Sequence, residues 1–265
     1  SLCGCIIMSG PFGSTAWMYN PSTEFYGFEI SNSLRFEDGD NPSLTFTPSS
    51  ASNRRTWTWS GWIKRGNLVD GQGFINAGNA PSMGFHENKG YYTLTGVGNG
   101  FTQDAVGFQT LFRDPSAWYN VVIAFDSTES SAGDRVKYYV NGTQHTMSAN
   151  HISTNAEYSV NNTVEHSIGV SGVSGSTTYF DGYMAEVNFI DGTALTPSSF
   201  GETKNDIWIP KNTSGLTFGT NGWRLQFKQT GTGTASTSTI GADTSGNNNH
   251  WTSNNLVASD VVPDS

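Results

Sequence analysis

The stretch Thr56-Trp57-Thr58-Trp59-Ser60-Gly61-Trp62-Ile63 decides the fold. Large apolar side chains recur there with a period of two, the repeat of a strand and not of a helix. Trp57, Trp59 and Ile63 share one face, and that face is expected to be core. Working outward, Tyr119 to Phe125 is almost wholly apolar, as suits a central strand covered on both sides. Beyond the polar loop Asp126 to Gly133, Val136, Tyr138 and Val140 alternate with Arg135 and Lys137. Asn141-Gly142 closes that strand as a type I′ hairpin turn, because both central positions require positive φ. Phe180 to Ile190 reads as another long strand, with a bulge expected at Asp181-Gly182. Gly222 to Lys228 alternates again and sets Trp223, Leu225 and Phe227 on one side. The one helical turn is Thr196-Pro197-Ser198-Ser199-Phe200-Gly201, where Thr caps, Pro opens and Gly stops.

Composition excludes several classes. Aromatic and charged residues each make up 13% of the 265 residues, a balance that suits sheets and contact surfaces and not helical bundles. Lys and Arg number 13 against 22 Asp and Glu, a net charge of −9, and the longest basic run is Asn53-Arg54-Arg55. A nucleic-acid partner is therefore not expected. The longest apolar stretches, Cys5 to Met8 and Val121 to Phe125, fall far short of the roughly 20 residues of a spanning helix, so no membrane insertion is expected.

Residues 1 to 34 contain no Lys or Arg, so the apolar start lacks the charged flank of a secretory signal. Residues 1–30 are instead expected to be a docking arm that drives homo-oligomer assembly through Leu2, Cys3, Cys5, Ile6, Ile7, Phe12 and Trp17. Such an apolar, irregular segment is stable only when docked on another chain. Cys3 and Cys5 are too close for an unstrained disulfide, and two thiols cannot complete a tetrahedral zinc site. They read as small packing residues, with intermolecular pairing or a metal shared at a symmetry axis as the alternatives. Residues 31–200 form the expected sandwich and 201–265 a C-terminal extension, within which Gln229 to Asn249 reads as an exposed polar loop.

Three segments in order carry a family likeness: Trp57 to Lys64; Trp118-Tyr119-Asn120-Val121-Val122 with Val136 to Gly142; and Phe180-Asp181-Gly182-Tyr183-Met184-Ala185-Glu186-Val187. Together they resemble the concanavalin A-like jelly roll of the laminin-G-like type, an all-β sandwich of two antiparallel sheets. Asn53 to Trp62, Phe112 to Tyr119 and Asn188 to Pro197 are similar to laminin-G-like proteins of tailed phages from aquatic bacteria. That resemblance implies a virion component: a tail, fibre or capsid-decorating appendage, located on the particle, with other virion proteins as partners and host surface polysaccharide as a further contact. Asp243-Thr244-Ser245-Gly246-Asn247-Asn248-Asn249-His250 looks like the opening turn of such a jelly roll, though here it comes late. The C-terminal part therefore either completes the first sandwich or begins a second domain.

The resemblance also frames the chemistry. Laminarinase-type relatives carry Glu-x-Asp-x-(x)-Glu on one strand, because glycoside hydrolysis needs two carboxylates at a fixed separation. Here the segment is Glu186-Val187-Asn188-Phe189-Ile190-Asp191, with an amide at the middle position and Asp191 on the opposite face, so no enzyme is expected. The five histidines, His86, His145, His151, His166 and His250, are scattered and read as surface residues. Related jelly rolls often hold a structural Ca²⁺, for which Glu37, Asp38, Asp40 and Asn41 supply oxygen ligands in a tight turn. The same cluster also reads as a plain turn. Trp57, Trp59, Trp62 and Trp118 are expected in the core, which leaves loop residues Phe85, Tyr91, Tyr92 and Phe101, with Asn88, Asn99 and Gln103, as the glycan-binding candidates or as a subunit interface.

Overall fold

The computed structural model describes residues 26–69, 71–78, 82–86, 89–93, 106–145, 152–173 and 176–263. In chain order the strands are β1 (Asn32–Phe36), β2 (Ser43–Phe46), β3 (Thr56–Arg65), β4 (Gln72–Ala77), β5 (Ser82–His86), β6 (Lys89–Thr93), β7 (Val106–Leu111), β8 (Tyr119–Asp126), β9 (Val136–Val140) and β10 (Thr143–His145). They continue with β11 (His166–Ile168), β12 (Val170–Val173), β13 (Ser176–Tyr179), β14 (Gly182–Asp191), β15 (Gly201–Lys204), β16 (Ile207–Pro210), β17 (Trp223–Leu225), β18 (Thr252–Asn254) and β19 (Val261–Pro263). The described helical turns are short 3₁₀ pieces, including Pro197–Ser199 with Pro at its start, and none is long and apolar enough to cross a membrane.

Two antiparallel sheets make the sandwich. One has eight strands in the order β10-β9-β8-β3-β14-β1-β19, with β17 also on β14; the other has seven in the order β18-β2-β11-β4-β5-β6-β7. Alternation along β3 puts Trp57, Trp59 and Ile63 in the core, each at most 1% exposed. Aromatic rings then meet in the interior: Trp57 stacks on Phe125 at 4.9 Å, and a second run links Trp59 to Phe74 at 5.0 Å, Phe74 to Phe85 at 5.6 Å and Phe85 to Phe112 at 4.9 Å. Rings of this size each bury roughly 150–250 Å², which explains how a chain with few charges and many aromatics holds two sheets together. At the β9–β10 turn Asn141 and Gly142 have φ of 47° and 79°, the left-handed pair that a type I′ turn requires.

Several local expectations are corrected. The irregularity of β14 lies not at Asp181-Gly182 but between Ala185 and Asn188, where Glu186 has φ of 45°. Trp62 pairs with Ala185 and Ser60 with Asn188, so Gly61 faces two residues of β14 and a bulge results. The cause is a change of partner: the first half of β14 pairs with β1 and the second half with β17. Gln229 to Asn249 is not simply exposed, because Ile240 and Ala242 anchor it in the interior. The C-terminal strands enter both sheets, β17 on β14, β18 on β2 and β19 on β1.

The outer face of the eight-stranded sheet is only partly covered. Segment 195–218 folds over it and forms a second small core, in which Phe200 and Phe218 pack with Val122, Ala124, Tyr139 and Ile190. Within that segment the hairpin β15–β16 stands at the edge of the remaining open face.

Candidate functional site

On the open face one row of residues crosses three strands: Ala185 pairs with Trp62, and Trp62 with Asn120. Alternation sends Trp62 outward because its neighbours Gly61 and Ile63 face the core. The small Ala185 leaves space next to the indole. Trp118, just before β8, lies edge-on to Tyr183 at 6.4 Å. A third indole arrives from the hairpin. Asn205 and Asp206 form its tip with φ of 50° and 63°, again a left-handed pair, and so bring Trp208 back over the sheet. Trp208 Nε1 donates to Asn120 Oδ1 at 3.0 Å, and the Asn120 N–H donates to Asn141 Oδ1 at 2.8 Å. A Cβ at Gly142 or Gly201 would come within 2.5 Å of the Trp208 ring, so both positions must stay bare for the indole to seat.

The three half-exposed indoles line two adjoining bays. The inner bay, about 230 Å³, is completed by Tyr26, Ile30, Ala185 and Pro210 and is almost wholly apolar. The outer bay, about 560 Å³, is framed by Asn141, Thr143, Thr203, Asp206 and Ile207. An apolar floor with a few convergent polar groups is the general form of a small-molecule site.

This groove is not where the sequence pointed. Of the four tryptophans expected in the core, Trp57 and Trp59 are buried there, whereas Trp62 and Trp118 are not. Conversely Phe85, expected to bind from a loop, is fully buried against Phe74 and Phe112 and cannot stack on a ligand. The backbone places Tyr91 and Tyr92 in β6, while Asn88, Asn99, Phe101 and Gln103 lie outside the described residues. The arm positions Leu2, Cys3, Cys5, Ile6, Ile7, Phe12 and Trp17 lie outside them too. His166, expected at the surface, is buried: its ring donates from Nδ1 to Val164 O at 2.8 Å and accepts the Asn161 N–H at Nε2, 3.2 Å away.

The calcium expectation changes its ligand set. Glu37 and Asp38 come together with Asp181, their ligand oxygens within 4.8 Å of one another. Asp40 is not in that group, and the carbonyl of Asn41, which ends the 3₁₀ turn in the left-handed region, accepts from Asn255 Nδ2 at 3.1 Å. Burial, then the neighbouring charges of Asp38 and Glu37, raise the Asp181 pKa above the ordinary carboxylate value. Asn67 Nδ2 bridges Asp38 and Asp181, donating to their oxygens at 3.4 and 2.7 Å. A hard divalent cation fits this donor set, held by Glu37, Asp38 and Asp181, and would supply charge neutralisation. A raised carboxylate pKa means that the folded state holds more protons than the unfolded one, so stability from this cluster rises as pH falls through that range. Millimolar Ca²⁺ is expected to raise Tm at pH 7 by about 5 °C. Asp181→Asn should raise the metal-free Tm and lose the Ca²⁺ increment, and an equal increment in the variant would refute the assignment.

The residues considered for hydrolysis are otherwise engaged. Glu186 is 4% exposed; Oε1 accepts from Arg224 Nε and from Thr213 Oγ1, and Oε2 accepts from Gln226 Nε2 at 3.3 Å. Thr213 Oγ1 lies 2.9 Å from both Glu186 Oε1 and Asn188 Oδ1 and has one proton for the two. Asp191 accepts the Asn161 Nδ2–H at 2.9 Å and the Asn221 N–H at 2.9 Å.

No curated protein matches the sequence. A candidate carbohydrate-binding protein from Bacteroides ovatus shares the fold with a TM-score of 0.61 and 14% identity, over 90% of this chain and 62% of its own. The chain thus spans less than two thirds of that protein. A heptameric SAP-like pentraxin from Limulus polyphemus aligns with a TM-score of 0.46 and 18% identity, over 63% of this chain and 78% of its own. The family model of the concanavalin A-like lectin/glucanases superfamily matches residues 38–200. That span takes in the paired tryptophan strand, the Asn-Gly hairpin and the bulged strand described above, and the chain belongs to the concanavalin A-like lectin/glucanase superfamily.

Proposed function

We propose that the chain is a non-enzymatic carbohydrate-binding module that holds surface glycan in the outer-face groove and works as an appendage component of a virion. The observation that carries the binding role is the convergence of Trp62, Trp118 and Trp208 on one groove rimmed by amide and hydroxyl side chains. The C–H face of a sugar ring is apolar and its edge is polar, and the groove offers the same pair of surfaces. Trp208 is also fixed before any ligand arrives, by its bond to Asn120 and by the bare glycines beneath it, which limits the ordering cost of binding. The virion setting is supported by the likeness of Asn53 to Trp62 and Asn188 to Pro197 to tailed-phage proteins, and residues 1–30 are the segment through which assembly is proposed.

Titration calorimetry with bacterial surface polysaccharide tests the binding role. Trp208→Ala removes one wall of the groove without opening the main core, because Trp208 packs on the outer face. Affinity is expected to fall about thirty-fold, the equivalent of roughly 2 kcal/mol for one large apolar side chain. Unchanged affinity in this variant would remove the groove from the function.

A further inference from the structure

Charge and polarity differ between the two bays, and the difference selects a ligand. No Lys or Arg lines either bay among the described residues, and the acidic side chain among those lining residues is the exposed Asp206. Lys64 is held over the Tyr183 ring, 5.8 Å from its centroid, and lines neither bay. Among the described lining residues an anionic sugar would therefore meet an acidic side chain and no basic one, on a chain carrying a net charge of −9.

The inner bay adds a second constraint. Apart from the Tyr26 hydroxyl and the indole nitrogens its walls offer hydrocarbon, and Trp208 Nε1 is already committed to Asn120. A sugar presenting only hydroxyls there would bury groups without partners, at a cost of about 1–3 kcal/mol each. A methyl group suits those walls. The outer bay is the reverse, with Asn141, Thr143, Thr203 and Asp206 able to exchange hydrogen bonds with ring hydroxyls.

We infer that the groove takes a neutral glycan of at least two units, with a deoxy or acetylated sugar whose methyl group enters the inner bay and a hydroxylated neighbour in the outer bay. This rests on the glycan-binding reading above and names the substrate class of the same site. Because both bays share Trp62, Trp118 and Trp208, the two units sit next to each other on one continuous aromatic floor.

The test is calorimetry on the full chain with three sets of oligosaccharides matched in length: 6-deoxy or N-acetylated neutral, fully hydroxylated neutral, and uronate-containing. Affinity is expected to fall in that order, with at least ten-fold between the first and the last. The best ligand should bind equally, within two-fold, at 50 and 500 mM NaCl, since no ion pair is screened. Asp206→Lys should raise uronate affinity several-fold and weaken the neutral ligand, which loses one acceptor for its hydroxyls. Tightest binding of uronates, or of the fully hydroxylated set, with sensitivity to Trp208→Ala retained, would overturn the assigned class while leaving the groove as a glycan site. Failure of all three sets, with a change of oligomeric state in Trp208→Ala by light scattering, would overturn both and make the groove a seat for a second copy of the chain.

Discussion

Glu186→Gln is expected to destabilise the protein by about 3 kcal/mol or more, because it leaves the guanidinium of Arg224 buried without its counter-charge. Both partners are sealed in, with side chains 4% and 5% exposed. The glutamine keeps one oxygen to accept from Thr213, and its NH2 can meet Gln226 once that amide turns its oxygen inward, so the main loss is the charge. For a chain of this size the drop in Tm is about 10 °C. Replacing both residues, Glu186→Leu with Arg224→Met, should recover most of it, since two apolar side chains leave no orphaned charge. Differential scanning calorimetry on the single and double variants decides the matter. A single variant within 0.5 °C of the parent would show that the pair is solvated.

The same pair explains why Glu186 occupies the left-handed region. A non-glycine residue there costs on the order of 1 kcal/mol, sustained only where the surroundings over-determine it. The bulge lets β14 exchange β1 for β17, and Arg224, on β17, receives the displaced carboxylate. A general acid must reach a glycosidic oxygen, and a carboxylate engaged on both oxygens beneath a covering segment is held for structure. Consistent with the non-enzymatic proposal, reducing-sugar release is expected from neither the parent nor Glu186→Gln.

Some of this was legible in the sequence. The period-two placement of Trp57, Trp59 and Ile63 and the paired left-handed turn at Asn141-Gly142 are local properties, fixed by strand geometry and by the φ that each residue tolerates. The groove is not local. The same alternation sends Trp62 outward, but whether an outward indole is covered depends on where segment 195–218 stops, far along the chain. Asn205-Asp206 was the one available sign of the hairpin that carries Trp208. The bulge at Glu186 had no local signal, since it follows from a change of partner between two distant strands. Phe85 failed as a loop ligand because strand β5 turns it into the core.

His166 gives the clearest pH dependence. Burial holds its pKa down at about 4, against 6.5 for a free imidazole, only partly offset by the hydrogen bond to Val164 O. The geometry agrees with a neutral ring: Nδ1 carries the proton given to Val164 O, and Nε2 must keep a lone pair to accept the Asn161 N–H. A second proton on Nε2 would set two donors against each other in a closed site. Above pH 6.5 both folded and unfolded states hold this histidine neutral, and it contributes no slope. Between pH 6.5 and 4 the unfolded chain binds a proton that the folded chain refuses, so stability falls as pH falls, by about 3 kcal/mol over the whole interval. Below pH 4 the contribution is constant. His166→Gln keeps an acceptor near the Asn161 amide and removes the titration. Urea unfolding from pH 7.5 to 4 should therefore show the parent losing about 3 kcal/mol more than the variant, with carboxylate contributions cancelling in the difference. Parallel curves for the two proteins would mean that the imidazole is solvated in the native state.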